Sequence, residues 1–373
     1  MALKSPRQKL QPDLPPKAPK RSRHVRNPFV MVMNFFFSVI VLTVIVGGIV
    51  FYWGTQEYKK PGPLQSQTTV VVPRGAGMAD IADSLQRNGV IDSTLLFQAS
   101  VRLQKKAGDL KAGEYLFGKG VTMEEVVAKL EDGKSVVYKV TLPEGLTSLQ
   151  IVERLRQDEI LVGDIENIPP EGSLLPNTYT FGRGTNRQQI IDQMKAAQEA
   201  ALERIWASRI DDLPLRNKNE MVTLASIVEK ETGKADERSR VAGVFINRLN
   251  RGMKLQSDPT IIYGLFGGAG KPPDRPIYKS DISSRTAYNT YVIEALPPGP
   301  IANPGLAAME AVANPSTTKD LFFVADGTGG HSFAETLEEH NQNVQRWRQI
   351  ERERKAAKKK REAQDAASSD TSN

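Results

Sequence analysis

From Phe29 to Trp53 the chain reads FVMVMNFFFSVIVLTVIVGGIVFYW, 25 residues without a charge and with only Asn34, Ser38 and Thr43 polar. As a helix rising about 1.5 Å per residue this stretch reaches roughly 37 Å, enough to span a bilayer with some tilt. Tyr52 and Trp53 stand at its far end, where an aromatic belt is expected. A cleaved signal peptide would have a shorter apolar core and a small-residue cleavage site, whereas the chain continues GTQEYKKPGP.

Beyond residue 67 the pattern changes to short strand-and-helix units. The β-branched run Thr68–Val72 predicts a strand, and Met78, Ile81, Ala82 and Leu85 at i, i+3, i+4, i+7 predict a helix. The same grammar returns seventy positions later in YKVTLPEGLTSLQIVERLRQDEIL: Pro73 matches Pro143, Gly75 matches Gly145, Ile81 matches Ile151 and Leu85 matches Leu155. Between the two lies AGEYLFGKGVTMEEVVAKLEDGKS, a further strand and helix. Strand-turn-helix units with this Pro-x-Gly turn resemble LysM-type glycan-binding modules; a plain α+β spacer is the competing reading.

After Ile160 the segment GDIENIPPEGSLLPNTYTF reads as a loop. Helices are predicted over Arg187–Arg209, around LASIVEKETG with Asn217 or Asn219 as cap, and over Asp236–Asn250. Residues 253–333 read mostly as loops and short strands, a pattern that suits a site built from loops on a helical support. From Glu338 a polar, charged helix begins, and the closing AASSDTSN reads as disordered. The expected class is α+β: a basic tail (1–28), a transmembrane helix (29–53), a linker (54–67), a small LysM-like α/β module (68–137), a larger mixed α+β catalytic domain (138–345) and a charged, partly disordered C-terminal tail (346–373).

The formal net charge of +7 suggests an acidic partner until its distribution is examined. Residues 1–28 hold eight Lys/Arg against the single acid Asp13, and a second basic run occupies Arg346–Arg361. The excess belongs to the ends, so nucleic acid is set aside. Only Lys59 and Lys60 follow the apolar run closely, and the positive-inside bias then puts the N-terminus in the cytoplasm and the body of the chain outside. Cysteine is absent, which agrees weakly with an extracytoplasmic setting.

Three histidines (His24, His331, His340), with no His-x-x-x-His, make a zinc site improbable, and neither a P-loop nor a Gly-x-Ser-x-Gly elbow is present. Carboxylates, amides and tyrosines remain, the tools of carbohydrate chemistry. LASIVEKETG ends a greasy helix in two glutamates. At 100° per residue Leu224, Ile227, Val228 and Glu231 share one stripe, while Glu229 lies with Val222, Ala225 and Ser226. Small residues at 225 and 226 would leave room for a sugar ring beside Glu229. Glu231 is equally a candidate for burial, paired with Arg238 or Arg248. Periodicity leaves the choice open.

LASIVEKET, VAGVFINRLNRGMKLQSDPTIIYGL, TAYNTYVIEALPPGPIANPG and FVADGTGGHSF, in this order, resemble the YceG-like (MltG) endolytic murein transglycosylases. The resemblance covers about residues 70–345 and implies Glu229, first glutamate of the EKE triplet, as the catalytic group. GSLLPNTYTF resembles an upstream block of the family, with Asn177 where an acid is often found. The implied reaction cuts between N-acetylmuramic acid and N-acetylglucosamine without water or cofactor. One carboxyl of raised pKa protonates the leaving oxygen and then takes the C6 hydroxyl proton, closing a 1,6-anhydro ring. Gln256, Asp258, Tyr263, Tyr288, Asn289, Thr290, Asn303 and His331 fall in the matching blocks as substrate-binding candidates. The implied setting is a single-pass inner-membrane enzyme with a periplasmic body, acting on nascent strands beside penicillin-binding-protein synthases. Two rivals stand beside it: a glycoside hydrolase pairing Glu229 with Asp258, and a non-catalytic cell-wall scaffold.

Overall fold

The computed structural model describes residue 17 and residues 28–370, side chains of 359–361 and 363–370 excepted. Most of the basic N-terminal tail and the last three residues lie outside the described residues. The chain divides into two units, the first ending at Lys134 and the second beginning at Ser135.

In the first unit, α1 (Pro28–Lys59) is one unbroken helix with no buried residue, apolar and long enough to cross a membrane. It runs six residues past Trp53, through the start of the segment read as a linker. Pro61 and Gly62 follow, and Tyr58 packs against the unit's core. Strand β1 (Thr68–Val72), helices α2 (Met78–Arg87) and α3 (Thr94–Leu103), strand β2 (Gly113–Phe117) and helix α4 (Met123–Asp132) come next. β1 and β2 pair antiparallel with Thr68 opposite Phe117. Val70, Val72, Ile81, Leu85, Phe97, Phe117 and Leu130 form the core. Only Phe97 and Val101 of α3 are buried, so its apolar residues make no single stripe and sequence periodicity did not announce it.

The second unit repeats the plan: β3 (Tyr138–Thr141), a turn, then α5 (Ser148–Arg156). Gly75 and Gly145 occupy matching turns at φ +79° and +75°, a left-handed backbone that favours glycine. Thr147 and Gln150 close a capping box on α5, satisfying backbone donors at its start. β3 pairs antiparallel with β4 (Thr178–Phe181), so the segment read as a loop ends in a strand. The helices α6 (Arg187–Ala207), α7 (Lys218–Glu231) and α8 (Arg238–Asn250) follow, with Asn217 capping α7 by accepting from Glu220 N.

The stretch 253–333 is more helical than its glycines and prolines suggested. It contains α9 (Asp258–Phe266), the single turn α10 (Lys279–Ile282) and α11 (Leu306–Ala313), then the hairpin β5 (Phe322–Ala325) and β6 (His331–Ala334). Helix α11, LAAMEAVA, packs on α6, α7 and α8 and lacks the polar face that would have revealed it. The final helix α12 (Leu337–Asp370) extends through most of AASSDTSN; its Ala, Lys, Glu, Arg and Gln content favours helix intrinsically.

Helix α7 sits at the centre of the larger core, and every residue from Met221 to Val228 is buried. A helix apolar all round offers no face by which its two terminal glutamates can be ranked.

Candidate active site

Ala225 and Ser226 are fully buried, and Ser226 Oγ accepts from Ile301 N at 3.0 Å. The space expected for a sugar ring beside them is filled by the chain itself. Helix α7 instead delivers Glu229 and Glu231 to two different environments.

Glu229 Oε2 accepts from Gly305 N, the cap of α11, at 3.0 Å. Burial pushes its carboxyl above the ordinary value, the Gly305 N–H pulls it back, and the neighbouring Glu144 charge raises it again. Lys230 Nζ donates to Gly145 O at 3.2 Å, tying the end of α7 to the Pro-Glu-Gly turn before α5.

Glu231, the last residue of α7, accepts from Ser257 Oγ through Oε1 at 2.5 Å. Burial is the main cause raising this carboxyl; the Ser257 hydroxyl lowers it and the Asp258 charge raises it, with His331 and Arg248 acting the other way. The helix C-terminus, with its outward carbonyls, further disfavours a negative charge there. Arg248 makes no ion pair with Glu231; its guanidinium donates to the carbonyls of Leu321 and Leu255 at 2.7 and 2.8 Å. Tyr291 Oη donates to Asp258 Oδ1 at 2.7 Å, so Asp258 faces Tyr291 rather than closing a local turn. A cavity of about 310 Å³ opens on Glu231, lined also by Gly330, His331, Trp347 and Arg354.

The remaining expected residues separate into three groups. Gln256, Thr290 and His331 belong to the Glu231 surroundings. Gln256 carries a positive φ of 51° and bonds Thr290 O through its N–H, while Thr290 Oγ1 accepts from Ser257 N at 2.9 Å and so holds the Ser257 loop. His331 Nδ1 lies 2.8 Å from Glu237 Oε2, which fixes its ring at the cavity wall. Tyr263 and Tyr288 gather elsewhere, their rings 4.8 Å apart beside Glu171. Asn289 and Asn303 are wholly buried and brace the chain around them. Asn303 accepts from Leu174 N at 3.0 Å and donates to Leu146 O and Ser148 Oγ at 3.1 Å each. Asn289 Nδ2 serves the carbonyls of Ile282 and Ser284. A side chain with every polar atom engaged inside the core has nothing left for a ligand.

Sequence reading missed Glu144, Glu171, Ser257, Tyr291 and Trp347. Glu171 accepts from Ser148 N at 2.9 Å, and burial raises its carboxyl as well. A signal was available for two of them. The tripeptide Pro-Glu-Gly occurs at 143–145 and 170–172, and where the first repeat has Arg74 the second has Glu144.

The YceG-like family matches residues 70–346. A Bacillus subtilis protein named endolytic murein transglycosylase is 32% identical, across 81% of this chain and 91% of that protein. A Streptococcus pneumoniae protein of the same name is 32% identical across 74% of this chain, but only 57% of its own length. A crystal structure of a YceG-like protein from Listeria monocytogenes is 30% identical, with a TM-score of 0.47 over 74% of this chain and 98% of that one.

Proposed function

The chain belongs to the YceG-like family, and on that footing we propose that it is an endolytic murein transglycosylase whose acid and base is Glu231. The observation that carries the assignment is the setting of this residue: a buried carboxyl held through Oε1 by Ser257, on a residue that lines a cavity of about 310 Å³. Glu229, the residue the family resemblance implied, is the alternative; its Oε2 accepts from Gly305 N, and the small residues beside it are packed.

The geometry supports a two-step proton transfer. Burial favours the protonated acid, raising its pKa above the ordinary carboxylate value. Oε1 is engaged, so Oε2 carries the proton to the glycosidic oxygen as the bond from C1 of N-acetylmuramic acid to O4 of N-acetylglucosamine breaks. The carboxylate so formed takes the C6 hydroxyl proton, O6 bonds to C1, and a 1,6-anhydro end results with no water consumed. The Arg248 and His331 charges near Glu231 ease its brief ionised state.

Hydrolysis is the competing reading, because Asp258 stands near Glu231 and Glu144 near Glu229. Mass spectrometry of products from uncross-linked strands separates the two. Anhydro ends are expected, and reducing ends formed with solvent oxygen would replace this proposal by a hydrolase.

The setting is part of the same reading. Helix α1 anchors the chain in the inner membrane with the basic segment inside, the first unit acts as a LysM-like glycan-holding module, and penicillin-binding synthases supply the strands. In support stand the apolar helix, the charge asymmetry about it, and the strand-turn-helix plan of the first unit.

A further inference from the structure

Helix α1 does not leave the first unit behind at the end of its apolar run. Leu96 of α3 lies against Gly54, and Gln104 Nε2 donates to Tyr58 Oη at 3.0 Å. Between the two helices is a cleft of about 660 Å³, lined by Gly47, Val50 and Phe51 of α1 and by Leu96, Ala99 and Leu103 of α3. Gly47 lies six residues before Trp53, about 9 Å deeper along a helix axis. One wall of the cleft is therefore the last two turns of the apolar run itself. The outer face of α3 continues this surface: Leu95 and Leu103 are 79% and 73% exposed, and Ala99 lies between them at the i+4 spacing. Arg102 and Lys105 are exposed at the C-terminal end of α3.

We propose that α3 is a membrane-interface helix, seated in the outer leaflet beside the exit of α1, and that the cleft holds a phospholipid acyl chain. The inference rests on reading α1 as a membrane span. Where that span passes through hydrocarbon, an apolar cleft along its wall is filled by acyl chains, since water there would gain no polar partner. Exposed leucines on a short helix flanked by cations match the interfacial mode, apolar face in the acyl boundary and cations at anionic headgroups. Seating α3 in this way would fix the first unit at the membrane surface, where strands emerge.

The chain has no cysteine, so single labels are simple to place. Full-length Leu95→Cys, Ala99→Cys, Leu103→Cys, Val44→Cys and Lys119→Cys variants carry a polarity-sensitive fluorophore in nanodiscs of phosphatidylethanolamine and phosphatidylglycerol. Blue-shifted emission at 95, 99 and 103, quenched by lipids bearing a nitroxide on the upper acyl chain, is expected, with water-like emission at Lys119. Water-like emission at 95 and 103 beside an apolar signal at Val44 would overturn the interfacial placement while leaving the span intact. A water-like signal at Val44 would instead remove the span on which the inference rests. Apolar but unquenched emission at Ala99, lost on dilution into excess nanodiscs, would give the cleft to a second copy of the chain and overturn the lipid assignment.

Discussion

Ser257 donates its hydroxyl to Glu231 across 2.5 Å, joining the last residue of α7 to the residue just before α9. Ser257 is itself held: its N–H donates to Thr290 Oγ1, and its carbonyl accepts from Thr260 Oγ1 at 2.6 Å. One oxygen of the carboxyl is thereby fixed by a chain of buried hydroxyls, and in the proposed mechanism the other exchanges the proton. Pre-positioning of this kind gives an acid its direction.

Replacement separates the two glutamates. Glu231→Gln is expected to slow strand cleavage by about 10²–10⁴-fold, the usual weight of general acid–base catalysis. Glu229→Gln keeps the shape and is expected to cost no more than about tenfold, near 1.4 kcal/mol of barrier. Product release from purified strands, with folding checked by circular dichroism, reads both. A dead Glu229→Gln beside an active Glu231→Gln would reverse the assignment.

Stability should respond to pH with a definite sign. The Glu231 carboxyl titrates above 4.5 in the folded chain, so over that window the folded state keeps a proton that the unfolded state has lost. Stability therefore falls as pH rises through the window. Glu231→Gln removes this dependence: its melting temperature should equal that of the parent below about pH 4 and exceed it at neutral pH, by about 2–4 °C per kcal/mol relieved. Scanning calorimetry at the two pH values decides it; a variant less stable at both contradicts the burial argument.

Asn303 should behave as a structural residue. Asn303→Ala strands the Leu174 N–H and the Ser148 hydroxyl contact in a buried region and is expected to destabilise the chain by about 2–3 kcal/mol. Urea unfolding measures this. A variant of unchanged stability with weakened substrate binding would return Asn303 to the list of sugar contacts.

Gly305 tests Glu144. A methyl group at Gly305 would fall within 1.8 Å of a Glu144 carboxylate oxygen, so Gly305→Ala displaces that flexible side chain from beside Glu229. With Glu231 as the acid, cleavage within about threefold of the parent is expected, with little change in melting temperature. A loss well beyond tenfold would return the chemistry to Glu229 and Glu144.

Patterning revealed what depends on local chemistry. The membrane-length helix was plain because 25 residues carry no charge, and the Asn217 cap because an amide before an apolar run serves helix donors. The two strand-turn-helix repeats were plain because a left-handed glycine and an amphipathic helix leave periodic marks. Helices α3 and α11 left none: one shows apolar residues on both faces, the other carries a single charged residue, Glu310, among small and apolar ones.

The candidate site divides in the same way. The sequence by itself determined that a helix buried in the core ends in two carboxyls, and that amides and aromatics follow in loops. It did not determine which carboxyl is tuned, because rank by helical face requires one exposed face and α7 has none. Tertiary structure sets the surroundings of each, by bringing Gly305 to Glu229, and Ser257, Asp258, Arg248 and His331 to Glu231. Desolvation and charge proximity are properties of three-dimensional neighbours, and residues 26 and 100 positions away in the chain leave no periodic trace of their meeting.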